Sequence, residues 1–131
     1  MLLRDAFEGH DVTYAVTSKG LAERDGLERV LVIPDSNRNN RRAAIRCFAE
    51  CFRIVRGLRP DIVLTTGALP GLFCLIAGRA TGARTIWIDS LANFETPSLS
   101  GKVARWVATH SLTQWEHLSR PHGPHYYGSL L

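Results

Sequence analysis

Arg59–Gly71, with the sequence RPDIVLTTGALPG, is the stretch that decides the fold. Its middle, Ile62–Thr65, is a short run of apolar and β-branched residues, which is typical of a strand buried in a parallel sheet. Thr66 and Gly67 end that run, and a nearly apolar helical segment follows. We therefore predict a strand, a tight turn and a helix in this stretch. In open α/β sheets, ligands bind at such carboxyl ends of strands.

The composition indicates a single domain that can bury one sizeable core. The 131 residues are 45% hydrophobic and 21% charged, as in ordinary globular chains. No run approaches the roughly 18 apolar residues of a transmembrane helix, and the N-terminus lacks the apolar core of a signal peptide, which predicts a cytoplasmic protein. Cys47, Cys51 and Cys74 are interpreted as reduced core thiols because they lack zinc-type spacing. The five histidines show no metal-ligand spacing and no GxSxG occurs, so neither a metal site nor a serine hydrolase is predicted.

Strands alternate with helices along the whole chain, which predicts one α/β domain with a Rossmann-like, doubly wound parallel sheet. Besides Ile62–Thr65, the predicted strands are Asp11–Thr17, Arg29–Ile33, Thr85–Ser90 and Ser111–Trp115, with Tyr126–Leu131 as a candidate last strand. The predicted helical segments are Met1–Glu8, Ser18–Asp25, Asn40–Leu58, Leu69–Thr81, Gly101–Ala108 and Glu116–Arg120.

The predicted order of elements opens with a helical segment that no strand precedes. In a doubly wound sheet the first strand is normally central, so its absence predicts a gap between the two strands that should flank it. We interpret the chain as lacking roughly 15–20 residues of a complete βα unit, through truncation or a misplaced start codon.

The turn after Ile62–Thr65 is the first candidate binding element. Gly67 and Gly71 introduce a helix N-terminus, where backbone N–H groups, including those of Thr66 and Ala68, can bind an anion such as a diphosphate. A purely structural tight connection explains such a turn equally well. The sequence contains neither GxxxxGK[ST] nor GxGxxG, which excludes a P-loop and a dinucleotide fingerprint.

The segment after the predicted strand Thr85–Ser90 is the second candidate. Asp89, Ser90 and Asn93 lie at the carboxyl end of that strand, where they face the same crevice as the Gly67 turn. Asp89 is a candidate for holding a sugar hydroxyl or acting as a base. The structural alternative is an Asx-type turn cap.

The start of the predicted helix Gly101–Ala108 is the third candidate. Ser98 and Ser100 are both candidate N-caps, and Lys102 lies near the positive end of the helix dipole, where a cation is unfavourable for stability. That placement favours anion binding, with plain solvent exposure as the alternative.

Positive charge is concentrated on the predicted helix Asn40–Leu58. The net charge is +4, and seven of the 14 arginines lie between Arg38 and Arg59 against a single acid, Glu50. The charged side of the helix carries Arg42, Arg46, Arg53 and Arg56. This face predicts contact with an anionic membrane surface or another anionic partner, and an ordinary solvated face is the alternative. Nucleic acid is disfavoured, because aromatic residues are not interleaved with the arginines and no binding motif is present.

Several spaced motifs in this order resemble a known family. They are RPDIVLTTGALPG, ARTIWIDSLANFETPSLSGKVARWVA, LTQWEHL and YYGSLL, with DSNR before the long helix. Over essentially all 131 residues the chain resembles the asparagine-linked glycosylation "fourteen"-like family, including its bacterial members from capsule and exopolysaccharide operons. More distantly, it is similar to the N-terminal half of MurG-type GT-B glycosyltransferases.

The resemblance implies half of an enzyme. It places an acceptor cleft with one wall at Thr66, Gly67, Ala68 and Gly71, a second wall at Asp89, Ser90 and Asn93, and Ser98, Gly101 and Lys102 at the helix start beneath them. The implied function is a noncatalytic, acceptor-binding and membrane-recruiting subunit of a two-component UDP-N-acetylglucosamine-type transferase. Its partners would be a separate catalytic chain carrying the UDP-sugar site, a lipid-diphosphate-linked glycan and the anionic cytoplasmic face of the inner membrane. The resemblance implies no cofactor and no catalytic residue in this chain. Asp89 is the one residue that we consider as a candidate for a catalytic role.

The sequence also departs from the family. Its members usually begin with a strand and a GGH-type loop that forms another wall of the cleft, and nothing in this sequence matches that loop. The functional alternative from another class is a stand-alone anion- or nucleotide-binding α/β module without a transferase role.

Overall fold

The computed structural model describes residues 4–36 and 39–128, and the main chain alternates strands with helices. The strands are β1 (Tyr14–Val16), β2 (Val30–Val32), β3 (Ile62–Thr65), β4 (Arg84–Ile88) and β5 (His110–Leu112). The α-helices are α1 (Lys19–Asp25), α2 (Arg41–Leu58), α3 (Ala68–Ala80) and α4 (Leu99–Val107), and 3-10 turns occupy Arg4–Phe7 and Glu116–Leu118. The predicted α/β class with parallel strands is confirmed. Within the described residues, no helix combines the length and the apolar character that crossing a bilayer requires.

The strands form two separate parallel sheets. In the two-stranded sheet, β1 pairs with β2 in the register Tyr14↔Val30. In the three-stranded sheet the order is β3-β4-β5, with Ile62 opposite Arg84 and Ile86 opposite His110. A doubly wound sheet with one vacant central place has this order, since β1 and β3 would flank the vacancy. Among the described residues β1 and β3 are not paired with each other, as the predicted gap requires.

Helices α2, α3 and α4 pack side by side in one layer against the three-stranded sheet. Trp87 is fully buried in the centre of this layer, where it packs with Leu75 and Ala104. A second cluster joins Val55 of α2 to Val63 of β3. Apolar residues recur on one face of α2 and of α4, whereas α3 is apolar nearly all round. Burial of these apolar residues against the sheet produces this layer.

The long helix α2 also connects the two sheets. It begins at Asn40, whose side-chain oxygen accepts from the backbone N–H of Ala43 at 3.1 Å, and such an N-cap satisfies a donor that the helix leaves unpaired. Its buried Cys47 and Cys51 pack on Ile33, which directly follows β2. Cys47, Cys51 and Cys74 are free thiols, and burial raises the pKa of Cys47 to about 12. That thiol is therefore neutral at physiological pH, as expected of a core residue.

The bounds of the last predicted strands differ from those in the structure. The fifth strand was predicted at Ser111–Trp115, whereas β5 ends at Leu112. After it, the N–H of Thr113 donates to the carbonyl of His125 at 2.9 Å, and only an isolated bridge joins Leu112 to His125. The candidate strand Tyr126–Leu131 has no strand structure over 126–128, and 129–131 lie outside the described residues, as do 1–3 of the first predicted helix.

Candidate ligand-binding crevice

The turn between β3 and α3 forms the first wall of the predicted crevice. Gly67 has φ of 126° and ψ of −168°, a conformation that essentially only glycine adopts. A Cβ on Gly71 would lie 2.0 Å from Oγ1 of Thr65, so only glycine lets the first turn of α3 approach β3 this closely. The Gly67 N–H points back to Oγ1 of Thr65 at 3.4 Å, while Thr66 is exposed at the tip. The turn is thus fixed by two glycines and presents Thr66 outward.

Asp89 organises the second wall from the end of β4. The residue is only 5% exposed. Its Oδ1 accepts from the Ser90 N–H at 3.1 Å, Nδ2 of Asn93 at 3.2 Å and Oγ of Ser98 at 3.0 Å, and its Oδ2 accepts from the Ser98 N–H at 3.1 Å. Both carboxylate oxygens are therefore committed to the loop between β4 and α4. This geometry favours the turn-cap interpretation of Asp89 over the proton-transfer one.

Ser98 and Gly101 attach the start of α4 to this carboxylate. Ser98 is the N-cap, since its Oγ accepts from the Gly101 N–H at 2.9 Å. A Cβ on Gly101 would lie 2.8 Å from Oδ2 of Asp89, so a larger residue would push the helix away from the loop. Of the two predicted N-cap candidates, Ser98 rather than Ser100 caps the helix, and Lys102 follows on the exposed side of the same turn.

The two walls meet at Gly67 and Ser90. A Cβ built on Gly67 would lie 3.9 Å from Cβ of Ser90, which is ordinary contact distance. The structure thus brings the Gly67 turn beside the loop that Asp89 organises, as the sequence predicts. The described residues contain no group of three or more His, Cys, Asp or Glu side chains placed to hold a metal ion.

Sequence reasoning missed two side chains that support the second wall from behind. Nε2 of Gln114 donates to the carbonyl of Asp89 at 3.0 Å, and the indole Nε1 of Trp115 donates to the carbonyl of Leu91 at 3.0 Å. Gln114 is buried. The sequence feature that could have identified Gln114 is an amide side chain directly after a strand, at a position that is expected to be buried against the sheet.

The arginine face of α2 shares no residue with the two walls of the crevice. Its four predicted members, Arg42, Arg46, Arg53 and Arg56, are all exposed. Arg53 is paired with Glu50, and this contact raises the pKa of Arg53 and lowers that of Glu50. Across the described parts of the chain, no ion pair is formed by the other three.

Apolar surface accompanies these arginines. Ile45, between Arg42 and Arg46 in sequence, is 70% exposed. Beside it, a shallow groove of about 640 Å³ is lined by Phe48, Phe52 and the stems of Arg53 and Arg56. The face is therefore amphipathic rather than uniformly polar.

Comparison with known proteins identifies the fold. No family model matches the sequence, and no curated protein matches it. The structure is similar to the crystal structure of MurG from Acinetobacter baumannii, with a TM-score of 0.73 and 14% sequence identity. The similarity covers 96% of this chain and 39% of that chain, so this chain spans well under half of the MurG length. The predicted similarity to the MurG-type N-terminal half is confirmed at the level of fold. Membership of the "fourteen"-like family stays a prediction. The chain has the α/β fold of a GT-B, Rossmann-like N-terminal domain.

Proposed function

We propose that this protein is the noncatalytic, acceptor-binding subunit of a two-component glycosyltransferase. The observation that carries the proposal is the pair of adjoining walls at the carboxyl ends of β3 and β4, on a chain with the fold of one GT-B domain. In an open α/β sheet this is the place where ligands bind. The donor, a UDP-sugar of the N-acetylglucosamine type, would bind to a separate catalytic chain.

The acceptor would be a lipid-diphosphate-linked glycan held between the two walls. Thr66, exposed at the tip of the first wall, and Ser90 and Asn93 on the second offer hydroxyl and amide groups suited to sugar hydroxyls. Lys102 and the N-terminus of α4 supply positive potential for the diphosphate. Asp89 serves this site by holding the loop in place, since both its oxygens are occupied by loop donors.

The amphipathic face of α2 supports recruitment to a membrane. Exposed Ile45 and the Phe48–Phe52 groove provide apolar contact, and the surrounding guanidinium groups provide attraction to anionic lipid. Each basic residue near an anionic bilayer contributes about 1 kcal/mol. The protein would thus work as a peripheral subunit on the cytoplasmic face of the inner membrane, in surface polysaccharide or lipid-linked oligosaccharide synthesis.

Reconstitution tests the subunit assignment. The purified chain is assayed with UDP-N-acetylglucosamine and a lipid-diphosphate acceptor, alone and with the product of the neighbouring glycosyltransferase gene. We expect transfer only in the mixture, and transfer by the chain alone would refute the assignment. In the mixture, Thr66→Trp should block the crevice and abolish transfer. Thr13→Trp, a matched change at an exposed threonine before β1 and outside the two walls, should leave transfer intact.

Vesicle flotation tests the membrane surface separately. Changing Arg42, Arg46 and Arg53 together to glutamate should release the protein from vesicles that contain phosphatidylglycerol. The matched control changes Arg29, Arg79 and Arg84, which are also exposed, to glutamate and should keep the protein bound. Equal release by both triple variants would mean that only net charge determines vesicle binding, and α2 would then not be the membrane-binding surface.

A further inference from the structure

A second concavity lies beneath α4, on the side that faces β5 and the segment after it. Its volume is about 310 Å³, and it is more enclosed than the groove on α2. The walls that matter for its chemistry come from Lys102, Arg105 and Trp106 on α4 and from Arg120 beyond β5, with Trp87 of β4 also lining it. Asp89, Gly101 and Lys102 line this concavity and are also among the predicted crevice residues, whereas Arg105, Trp106 and Arg120 belong to the concavity alone.

Three of these residues concentrate positive charge around the opening. Lys102, Arg105 and Arg120 form no ion pair within the described residues. Arg105 stacks over the ring of Trp106, with its guanidinium carbon 5.2 Å from the ring centroid. Nη1 of Arg120 donates to the carbonyls of His117 at 3.0 Å and Ser119 at 2.8 Å. These contacts orient both guanidinium groups without neutralising them.

One acid also borders the concavity. The Asp89 carboxylate accepts hydrogen bonds from Ser90, Asn93 and Ser98 through both oxygens, so its charge is compensated by loop donors. Three cations against one compensated carboxylate leave the walls with an excess of two positive charges. That excess matches a dianion, because guanidinium groups bind phosphoryl oxygens in a fixed fork geometry.

A buried donor supplies an independent observation. Trp87 is fully buried, and its indole Nε1 has no hydrogen-bond partner. Buried donors without acceptors are rare in folded proteins, and each calls for an explanation such as a bound water or ligand. Trp87 is among the residues that line the concavity, so a ligand bound there lies next to this side chain.

We propose that this concavity, the α4 pocket, binds a small phosphate monoester that carries one ring, such as a sugar phosphate. Arg105, Arg120 and Lys102 hold the phosphoryl group, and the exposed face of Trp106 packs against the ring. The volume is close to the lower end of the range for small-molecule pockets, about 300 Å³, which fits one ring and one phosphate and excludes a polymer. The proposal does not depend on the glycosyltransferase assignment, since the pocket opens beneath α4 rather than between the two crevice walls.

Tryptophan indole signals in a ¹H–¹⁵N correlation spectrum provide the test. The chain has three tryptophans, and the Trp87 signal is assigned through Trp106→Phe and Trp115→Phe, which avoids changing the buried residue. Glucose 6-phosphate, inorganic phosphate and glucose are titrated in turn. We expect glucose 6-phosphate to shift the Trp87 signal saturably and glucose to leave it unchanged.

Charge reversal then localises the site. Arg105→Glu combined with Arg120→Glu should weaken glucose 6-phosphate binding at least about tenfold, as expected when two charge-assisted contacts are lost. Arg79→Glu combined with Arg84→Glu, at exposed positions outside the pocket, should leave it unchanged.

Two outcomes overturn the proposal: the absence of a saturable shift of the Trp87 signal, and equal weakening of glucose 6-phosphate binding by both double variants. Binding of inorganic phosphate without glucose 6-phosphate overturns the assignment of a ring-bearing ligand. Thr66→Trp, which blocks the crevice, should not alter these titrations, so failure here is distinct from failure of the transferase proposal.

Discussion

The two sheets of this protein are built from the same kind of strand but hold together differently. The three-stranded sheet is covered by α2, α3 and α4, and buries Trp87 and Thr85 completely. No residue of β1 or β2 is buried in this way, since every position of these strands is either partly buried or exposed. Two strands alone are marginally stable in water, whereas three strands with a packed face support themselves. Stability in this fold is therefore concentrated on the side where the crevice lies.

The vacancy between β1 and β3 explains the contrast. Parallel sheets are normally buried on both faces, yet Ile62 at the start of β3 is 50% exposed and Val32 of β2 is 44% exposed. Because a parallel strand in the vacancy would pair with both β1 and β3, it would merge the two sheets into one. Among the described residues, α2 couples the two sheets through Ile33, directly after β2, and through Val63 of β3, and Phe73 and Cys74 of α3 also pack against the Ile33 cluster.

Hydrogen exchange should reveal the largest difference between the sheets. The Ile33 N–H donates to the Val16 carbonyl at 2.8 Å, and the Asp89 N–H donates to the Leu112 carbonyl at 2.9 Å. Both residues are about 5% exposed, so neither bond length nor burial distinguishes them. We expect the Ile33 amide to exchange on the order of 100-fold faster, because the two-stranded sheet opens without global unfolding. Equal protection would mean that the two sheets unfold as a single unit.

This comparison also separates what the sequence could predict from what it could not. The strand Ile62–Thr65 was predicted with its observed bounds, because an apolar run followed by Gly67 is a local signal. The gap was predictable as well, since it follows from the order of elements. The end of β5 was not, because Thr113 leaves the strand to pair with His125, twelve residues further along the chain, and no local pattern records that contact.

In the crevice, too, some features could be predicted from the sequence and others could not. Ser98 was one of two N-cap candidates before the predicted helix, and Gly67 was identifiable from its position at the end of a strand. Whether Asp89 was a base or a turn cap could not be decided, because the answer depends on donors that only folding brings to its carboxylate, above all Ser98 nine residues later. The arginine face was visible as a charge run, but its amphipathic character depends on the exposure of Ile45.

Truncating one core side chain on each side should give the next largest contrast. Leu75 is fully buried beside Trp87, and Ile33 is 4% exposed beside Cys47 and Cys51. Large-to-alanine changes of this kind cost about 2–5 kcal/mol, depending on how far the site can relax. We expect Leu75→Ala near the upper end and Ile33→Ala near the lower end, because the smaller cluster can collapse into its cavity. Urea unfolding gives both values, and a larger loss for Ile33→Ala would contradict this distribution of stability.

Two helical glycines provide the finest test, because they differ in what an added methyl group would meet. In α3, a Cβ on Gly78 would lie 2.7 Å from Cγ2 of Val63, whose branched side chain is fixed in β3. In α2, a Cβ on Gly57 would meet nothing within 4 Å. We expect Gly78→Ala to cost about 1 kcal/mol, since overpacking outweighs the gain in helix propensity. Gly57→Ala should instead stabilise by about 0.5 kcal/mol, because alanine restricts the unfolded chain at no steric cost.

For these two substitutions, the sign of the change in the free energy of unfolding is more informative than its size. Both replace glycine by alanine within a helix, so the propensity gain is shared and the difference between them measures the contact with the sheet. Urea unfolding midpoints of the two variants, with unchanged slopes, give that difference directly. If Gly78→Ala stabilises as much as Gly57→Ala, then Val63 yields to the methyl group. The three-stranded sheet would then be loosely packed against α3, and the contrast between the sheets would have to rest on the number of paired strands alone.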